Sequence, residues 1–438
     1  MKSSRAFNLA SFTTALLIVT SSAQAGGGYF ALGYGPIARQ MAGATTAYGN
    51  DAFAGASNPA KWLAASNRLD FGTEFFMPYR KVDRTGLGTV YDFSSTSVND
   101  IFLLPEGAYS HQINSRLAWG VTIYGNGGLN TEYRDNNGIP GSNANPARCG
   151  TQAANFLLGC GKLGFDLIEL VVAPGVAYQI APGHTLGIAP LITLQRFKAY
   201  GLHAFEPLSR IPGEVSNRGV DFALGVGVRV GWIGEITSWL TLGAAYSSRV
   251  YMGKFEHSEG LFANGRLNVP ENFSLGLAIK PLTDLTLTFD YLRINYGDVK
   301  ANSNSVIASL LNPAGNALGT PGGSGFNWEN NQTFRFGVAY ALAPALTLRG
   351  GYAYGERPPR DSGINSVSLN MFAPSPRHQM SLGVSWQPAP TNQFHVAYSN
   401  FAHGEFHGPS ATALFGIGGE ERVKAHVNTV MLAWSRRM

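Results

Sequence analysis

Residues 285–291 read Leu-Thr-Leu-Thr-Phe-Asp-Tyr, so large apolar side chains alternate strictly with threonine and aspartate. Because successive side chains of a β-strand point to opposite faces of a sheet, this alternation predicts a strand with one apolar and one polar face. The same period-two pattern recurs at residues 220–229, 272–279, 333–340 and 346–354. The sequence is therefore typical of an all-β protein built from many amphipathic strands.

The composition indicates where the apolar faces of these strands lie. Charged residues make up 13% of the chain, against about 25% in a typical soluble domain. The polar faces are too rich in glycine, threonine and charge to be covered by a second sheet. No unbroken apolar run approaches the roughly 18 residues of a membrane helix. A transmembrane β-barrel, with its apolar face toward lipid and its polar face toward the lumen, fits these observations.

Short and long connections alternate along the chain. Six short clusters of turn-forming residues separate strand patterns, and seven longer polar or glycine-rich stretches lie between them. This arrangement predicts 14 antiparallel strands, with the short turns on the periplasmic side and the long loops outside. The short turns fall at residues 113–115, 181–184, 235–238, 281–284, 341–345 and 388–392, and the long loops at about 81–100, 127–164, 201–217, 256–270, 297–331, 357–374 and 403–423.

The amino terminus has the three parts of a secretion signal. Lys2 and Arg5 give a basic start, an apolar stretch runs from Ala10 to Val19, and residues 23–25 read Ala-Gln-Ala, a small-x-small cleavage site. The apolar stretch is shorter than the roughly 20 residues that a membrane helix needs. Residues 1–25 are therefore predicted to be a signal peptide, with a short membrane anchor as the alternative. Export together with the strand pattern predicts the bacterial outer membrane.

A segment of small residues lies between the signal and the first strand pattern. Residues 43–65 are rich in glycine and alanine and too poor in large side chains to form a core of their own. Glycine and alanine allow a backbone to pack closely against a wall. We therefore expect residues 26–67 to fold into the lumen as a hatch and residues 68–438 to form the barrel. A disordered periplasmic leader is the alternative.

Other functional classes receive little support from the motifs. The formal net charge is +5, and no basic cluster indicates nucleic-acid binding. The nine histidines lack metal-ligand spacing, and neither a nucleotide-binding loop nor a Gly-x-Ser-x-Gly motif follows a strand. We therefore expect no enzyme activity, no cofactor and no metal. Cys149 and Cys160, the only cysteines, are predicted to form a disulfide that closes one loop, because an exported chain meets an oxidising compartment.

Several stretches carry a family resemblance when they are taken together and in order. Residues 50–52 and 58–60 read Asn-Asp-Ala and Asn-Pro-Ala. With the later stretches, they resemble the FadL family of outer-membrane transporters for hydrophobic compounds. Two features depart from that pattern: Glu329 stands where members often carry a basic residue, and the chain ends in Met438 rather than an aromatic. The later stretches are residues 165–174, 186–199, 269–277, 290–296 and 346–352.

The resemblance implies a 14-stranded antiparallel barrel with an amino-terminal hatch, and passive uptake of long-chain fatty acids or aromatic hydrocarbons. Ligand is expected to enter an apolar groove among the external loops, reach a deeper site near the hatch, and leave sideways beside a kinked third strand. The expected residues are Asn58, Pro59 and Ala60 in the hatch; Tyr29, Phe30, Phe156, Leu157, Leu158, Leu261 and Phe262 for ligand binding; and Gly120 and Gly125 at the lateral opening.

Some alternatives remain open at this point. Gly120 and Gly125 can equally serve to relieve crowding in the wall. Arg196 and Lys198 either meet a polar head group of the ligand or form a rim that faces lipopolysaccharide. Glu329 favours a neutral ligand, because a carboxylate ligand is best bound by Lys or Arg. The expected partners are hydrophobic small molecules, outer-membrane lipid and lipopolysaccharide, with the protein as a monomer. The rival functions are a general or substrate-specific porin for polar solutes and a structural or adhesive barrel.

Overall fold

Fourteen long strands dominate the computed structural model, which describes residues 27–31, 33–88, 92–134, 152–153, 155–157, 159–358, 370–372, 376–410 and 418–438. The strands are β1 (Arg68–Thr85), β2 (Phe102–Asn114), β3 (Leu117–Tyr133), β4 (Leu163–Ala181), β5 (His184–Tyr200), β6 (Asp221–Glu235), β7 (Leu240–Ser247), β8 (Asn272–Leu282), β9 (Leu285–Ile294), β10 (Asn331–Ala343), β11 (Leu346–Gly355), β12 (His378–Ala389), β13 (Asn392–Pro409) and β14 (Glu420–Arg437).

The sheet closes on itself, because β1 pairs with β14 from Arg68 opposite Arg437 to Thr85 opposite Glu420. Each of the other long strands is antiparallel to the strands before and after it. Two short strands add to this wall: Phe93–Thr96 pairs with β1, and Tyr251–Met252 pairs with β6. The predicted 14-stranded antiparallel barrel is confirmed.

The six predicted tight turns all join consecutive strands, and the strands extend further than predicted on the opposite side. β3 continues to Tyr133, although the pattern indicated an end near Asn126, and β13 continues to Pro409. These extensions are rich in glycine and polar residues and lack a clear apolar alternation. Their backbone hydrogen bonds to neighbouring strands persist where the apolar alternation has stopped, so the pattern alone placed the loops too early.

Side chains alternate across the wall as predicted. On β6, Leu224 and Val226 are each 61% exposed on the outer surface, whereas Ala223, next to Leu224, is buried. Asp221 and Arg229 of the same strand are buried on the inner side. The barrel therefore presents apolar side chains outward and polar side chains inward, which is the arrangement of a barrel that crosses a membrane.

The chain before β1 lies inside the ring of strands. We call residues 27–31 and 33–66 the N-terminal segment. Its helix Gly35–Gln40 carries Pro36 in the first turn, where the fixed φ of proline suits a helix, and it packs against β11 to β14. The helix Trp62–Ala65 packs on β2 to β4, on a different part of the wall. The segment is therefore surrounded by strands, and Trp62 is fully buried.

The remaining helices are short. Within the described part of the chain, no helix is long and apolar enough to cross a membrane. The other helices are Ala54–Ser57, Lys300–Ser303 and Ala308–Leu311, and the 3₁₀ turns are Pro59–Lys61, His203–Leu208, Pro212–Glu214, Ala263–Gly265, Tyr296–Asp298 and Asn370–Phe372.

Candidate functional site

Four buried polar side chains of the inner wall bind the N-terminal segment. They come from strands around the barrel, and two of them, Asp290 and Arg335, lie on the neighbouring strands β9 and β10. Each of them forms a hydrogen bond with a group of the segment, so together they fix the segment in the lumen. Asp290 Oδ2 accepts a hydrogen bond from Thr46 N at 2.7 Å. The three arginines donate: Arg335 Nη1 to Gly43 O at 3.1 Å, Arg349 Nη1 to Gln40 Oε1 at 2.9 Å, and Arg229 Nη1 to Ala56 O.

The side chain of Asn58 forms hydrogen bonds both within the N-terminal segment and to the barrel wall. Its Oδ1 accepts a hydrogen bond from Ala60 N at 3.1 Å, and its Nδ2 donates to Thr46 O at 3.1 Å and to Trp232 O at 3.0 Å. Pro59 then opens the 3₁₀ turn, at a position where its missing N–H costs no hydrogen bond. The buried carboxamide therefore fixes the direction of the chain at Asn58-Pro59-Ala60. The role of these residues in a moving hatch stays a prediction.

Two wall glycines allow this turn to approach the strands. A Cβ placed on Gly231 would overlap the Asn58 side chain, and one placed on Gly187 would overlap the backbone of Ala60. A glycine inside a strand often marks a site where another backbone comes close. This signal is present in the sequence at both positions, although neither glycine was predicted to contact the segment.

Two ionisable side chains of the segment are buried near the periplasmic end. Lys61 Nζ donates to Tyr48 O at 2.9 Å and to Ser57 Oγ at 2.7 Å, and burial lowers the pKa of Lys61 to about 8. Burial and then the neighbouring Asp70 raise the pKa of Asp51 to about 6, against the opposing charges of Arg68 and Lys61. Asp51 Oδ2 has no hydrogen-bond partner. A charged Asp51 is therefore disfavoured in this position.

We expect Asp51→Asn to stabilise the N-terminal segment at neutral pH. Since the folded-state pKa is raised, the contribution of Asp51 to stability is complete below its usual pKa of 3.8 and is lost as the pH rises through about 6. The amide removes that loss, so hydrogen exchange of peptides from residues 35–65 should slow roughly tenfold at pH 7.5 and little at pH 4. Asp83→Asn, outside the segment, is the control. Faster exchange in Asp51→Asn at pH 7.5 would contradict this account.

The pairing of β2 with β3 is interrupted above the middle of the wall. Its last aligned pair is Gly107 with Ile123, although β3 remains paired with β4 to its end. Nearer the outer rim the two sides meet again, because Val98 N donates to Glu132 O at 2.9 Å. The wall is therefore interrupted along residues 124–131 of β3.

The two glycines predicted at a lateral opening have different surroundings. Gly120 lies in regular pairing opposite Ser110, and a Cβ there would lie 2.5 Å from the indole nitrogen of Trp62. Gly125 borders a register shift at which Asn126 is an extra residue relative to β4, and a Cβ there would meet nothing within 4 Å. A bulge of this kind bends a strand. Gly125 therefore lies at the bend, whereas Gly120 makes room for Trp62.

Residues 29–31 of the N-terminal segment occupy the edge of β3 that β2 leaves unpaired. Gly128 N donates to Tyr29 O at 3.1 Å, and Ala31 N donates to Asn126 O at 2.8 Å. A Cβ on Gly127 would overlap the Tyr29 carbonyl, so this contact needs glycine at position 127. The segment therefore lies directly against the interruption in the wall.

Tyr29 and Phe30 also begin a continuous series of aromatic rings. Both side chains are buried, and their ring centroids lie 5.6 Å apart. Such spacings are those of interacting aromatic pairs. The series leads outward from the segment to the loops. It continues through Tyr29–Trp328 at 5.8 Å, Trp328–Phe326 at 5.4 Å and Phe326–Phe165 at 6.2 Å.

An apolar cavity of about 110 Å³ lies at the outer end of this series. Leu157, Leu261 and Phe262 line it, together with Phe165 and Phe326, and none of the described residues that line it is charged. The structure thus brings two of the predicted loop patches, distant in sequence, to one site.

The other two predicted residues of the first loop patch are Phe156 and Leu158. Phe156 is buried beside the cavity and stacks on Phe93 at 4.1 Å between ring centroids. Leu158 lies outside the described residues.

Arg196 and Lys198 lie on β5 near the outer rim and are not among the residues that line the apolar cavity. Arg196 Nη1 is 2.7 Å from Asp166 Oδ2, and Lys198 Nζ is 5.9 Å from the ring centroid of Tyr200. These positions favour the interpretation that Arg196 and Lys198 form a charged rim over the interpretation that they contact a ligand head group inside the cavity.

The remaining site predictions concern sulfur and metal. Cys160 is buried and disulfide-bonded, but Cys149 lies outside the described residues, so the pairing of the two stays a prediction. In the described part of the chain, no three His, Cys, Asp or Glu side chains are grouped so as to hold a metal ion.

A closed lipid-facing barrel, a folded segment bound in its lumen and an apolar cavity at its outer end define an outer-membrane transport barrel. Residues 16–437 match the profile of the family described as outer membrane protein transport protein (OMPP1/FadL/TodX). The chain belongs to this family.

The sequence matches no curated protein. Solved structures of similar fold cover nearly the whole chain. The P. putida toluene transporter TodX has 17% identity and a TM-score of 0.69 over 93% of this chain and 99% of its own. The Ralstonia pickettii toluene transporter TbuX has 19% identity and a TM-score of 0.63 over the same shares. A Pseudomonas aeruginosa FadL homologue has 15% identity and a TM-score of 0.64, again over 93% and 99%. These identities establish a shared fold.

Proposed function

We propose that this protein carries neutral hydrophobic molecules, with small aromatic hydrocarbons as the best-fitting class, inward across the outer membrane without energy input. The observation that carries this proposal is the continuous apolar route from the loop cavity, along the aromatic series, to Tyr29 and the interrupted wall. The lining without charge favours a neutral ligand over a carboxylate. The toluene transporters of similar fold support the same ligand class.

Entry is driven by burial of the ligand in the loop cavity. A hydrocarbon that leaves water gains about 25 cal/mol for each Å² of apolar surface that is buried. Leu261 and Phe262 supply such a surface from one loop, and Leu157 supplies it from another. The cavity therefore concentrates ligand from dilute solution before any movement of the segment.

Passage beyond the cavity is controlled by residues 26–67, which we propose to act as a hatch. The amino-terminal end of the hatch closes the interrupted wall through two backbone hydrogen bonds, those of Tyr29 O and Ala31 N with β3. The net value of such bonds is about 0.5–1.5 kcal/mol each. The remainder of the hatch is held by charged wall residues such as Asp290 and Arg335. Residues 29–31 can therefore move while the rest stays in place.

Exit is sideways, through the interruption between β2 and β3. A ligand that replaces residues 29–31 against β3 would meet the outer surface of the barrel at Leu103, which is 43% exposed. An apolar ligand is more stable in lipid than in an aqueous lumen, so a lateral exit avoids returning it to water.

Uptake in cells tests this function. Cells that lack their own transporters of this class would carry this gene, and uptake of radiolabelled toluene and radiolabelled oleate would be compared. We expect a clear gain for toluene and a smaller gain or none for oleate. A gain for oleate alone would overturn the ligand class, and no gain with either compound would overturn the transport function.

A matched pair of variants tests the loop cavity. Leu261→Asp places a carboxylate in an apolar lining, which disfavours ligand binding, and we expect toluene uptake at low concentration to fall at least tenfold. Leu311→Asp makes the same change at a loop position that is 67% exposed and outside the cavity, and it should leave uptake unchanged. Equal uptake by both variants would show that ligand enters by another route.

A further inference from the structure

The outer surface of β5 changes character at one point along the strand. Leu186, Ile188, Ile192 and Leu194 project outward and are between 37% and 48% exposed, as expected for side chains that contact lipid tails. Arg196 and Lys198 continue the same outward row, because side chains two residues apart share a face. The lipid-facing band therefore ends at a pair of cations.

Neighbouring strand ends add two more cations to this edge. Arg134 follows β3 and is 58% exposed, and Lys162 precedes β4 and is 47% exposed. Both line a polar recess of about 640 Å³ at the outer rim, together with Lys198, Tyr200 and Glu132. Three cations thus converge on a recess that is open to the outside.

The recess has a fixed floor and incomplete charge compensation. The ring of Tyr200 lies beneath Lys162 Nζ at 4.7 Å and Lys198 Nζ at 5.9 Å, and its hydroxyl donates to Thr131 O at 2.9 Å. Glu132 is the acid of the recess, with Lys162 Nζ at 2.8 Å and Arg134 Nε at 3.8 Å. Among the described residues that line the recess, three cations stand against one carboxylate, which leaves a positive site.

We propose that this recess binds the phosphorylated head group of an outer-leaflet glycolipid of the lipid A type, with the acyl chains lying on the apolar row of β5. The phosphate oxygens accept charge-assisted hydrogen bonds from Arg134, Lys162 and Lys198. The lipid is favoured over a soluble anion because the cations directly adjoin the exposed Ile192 and Leu194. A single molecule therefore satisfies both parts of the surface. The proposal does not depend on the ligand that the barrel transports.

A second group of cations on the same rim provides a matched control. Lys81, Arg422 and Lys424 lie where β1 pairs with β14. They are compensated differently, because Lys81 Nζ lies 3.1 Å from Asp83 Oδ1, and Arg422 and Lys424 lie 3.6 Å and 3.8 Å from Glu405. The two groups have the same composition, two lysines and one arginine.

Native mass spectrometry of the full chain in detergent, titrated with lipid A and with dephosphorylated lipid A, tests the proposal. The recess variant carries Arg134→Gln, Lys162→Gln and Lys198→Gln, and the control variant carries glutamine at the three cations of the second group. We expect the recess variant to bind lipid A on the order of a hundredfold more weakly, about 2.8 kcal/mol, because it loses the three charge-assisted hydrogen bonds to the phosphate. The control variant should change less than threefold.

Two outcomes would overturn the proposal. The first is equal weakening by both variants, which would indicate general charge attraction rather than a site. The second is equal binding of lipid A and its dephosphorylated form to the unaltered chain, which would indicate that the apolar row alone holds the lipid. Heat-dependent mobility in gel electrophoresis verifies that each variant is folded before the titration.

Discussion

Deleting Asn126 is expected to reduce hydrocarbon uptake to the level of cells that lack the protein. Asn126 is the extra residue in β3, since Gly125 pairs with Leu170 of β4 and Gly127 pairs with the next residue, Glu169. Without it β3 can run straight and continue its pairing with β2 beyond Ile123. The expected result is a closed wall and no exit for ligand, measured as uptake of labelled toluene.

The Asn126→Ala variant separates the effect of the bulge on uptake from the effect of the Asn126 side chain. Asn126 Oδ1 accepts from Tyr34 Oη at 2.6 Å, and its Nδ2 donates to Glu169 Oε2 at 3.0 Å. The alanine variant loses both bonds but keeps the extra residue, so we expect it to retain a measurable share of uptake. Both variants must first show heat-dependent mobility in gel electrophoresis. Full uptake by a folded deletion variant would mean that ligand leaves elsewhere.

The barrel itself was predictable because its determinants are local. Alternation of apolar and polar side chains depends only on the period of a strand, and it placed the outward face of β9 correctly at Leu287. The tight turns were equally visible, since glycine, proline and asparagine mark them without reference to distant residues. The apolar residues Leu261 and Phe262 also stood out as a patch within a polar loop.

The interrupted wall was not predicted in its detail, because it depends on partners far apart in sequence. From the sequence, residues 127–133 were expected in a loop, although they are the part of β3 that meets the N-terminal segment. Two signals were present. Pro105 in β2 lacks a backbone N–H and is typical of an edge strand, and Gly125-Asn126-Gly127-Gly128 is typical of a bend or of close backbone approach. Which strand lacked a partner could be decided only from the pairing.

The positions of Arg196 and Lys198 show a second limit of prediction from the sequence. The sequence favoured a rim but left a contact with a ligand head group open, because both interpretations place a cation at the end of an apolar strand face. Burial decides between them, since the cavity is lined by other residues and Arg196 is partly exposed beside Asp166. A surface of this kind is assembled from the ends of three strands, β3, β4 and β5, and no local sequence pattern indicates it.

Removing residues 26–67 is expected to turn a barrel of low conductance into a steady ion channel. The N-terminal segment lies in the lumen and bonds to Asp290, Arg335, Arg349 and Arg229 of the inner wall. Without it these charges face an empty lumen lined by polar side chains, which water and ions can enter in a barrel of this size. Water also solvates the released charges, so the wall should remain folded.

Single-channel recording in planar bilayers measures the effect, with the intact chain and Asn58→Ala as comparisons. Asn58→Ala keeps the hatch but removes its bonds to Thr46 O and Trp232 O, so brief openings rather than steady current are expected. Steady current through the intact chain would favour the rival porin function, because the hatch would then not seal the lumen. A folded deletion variant that carries no current would place the barrier in the external loops. Steady current through the deletion variant alone would show that the proposed hatch is the barrier to ions. The slow step for hydrocarbons would then be the movement of residues 29–31, and the width of the barrel would not limit passage.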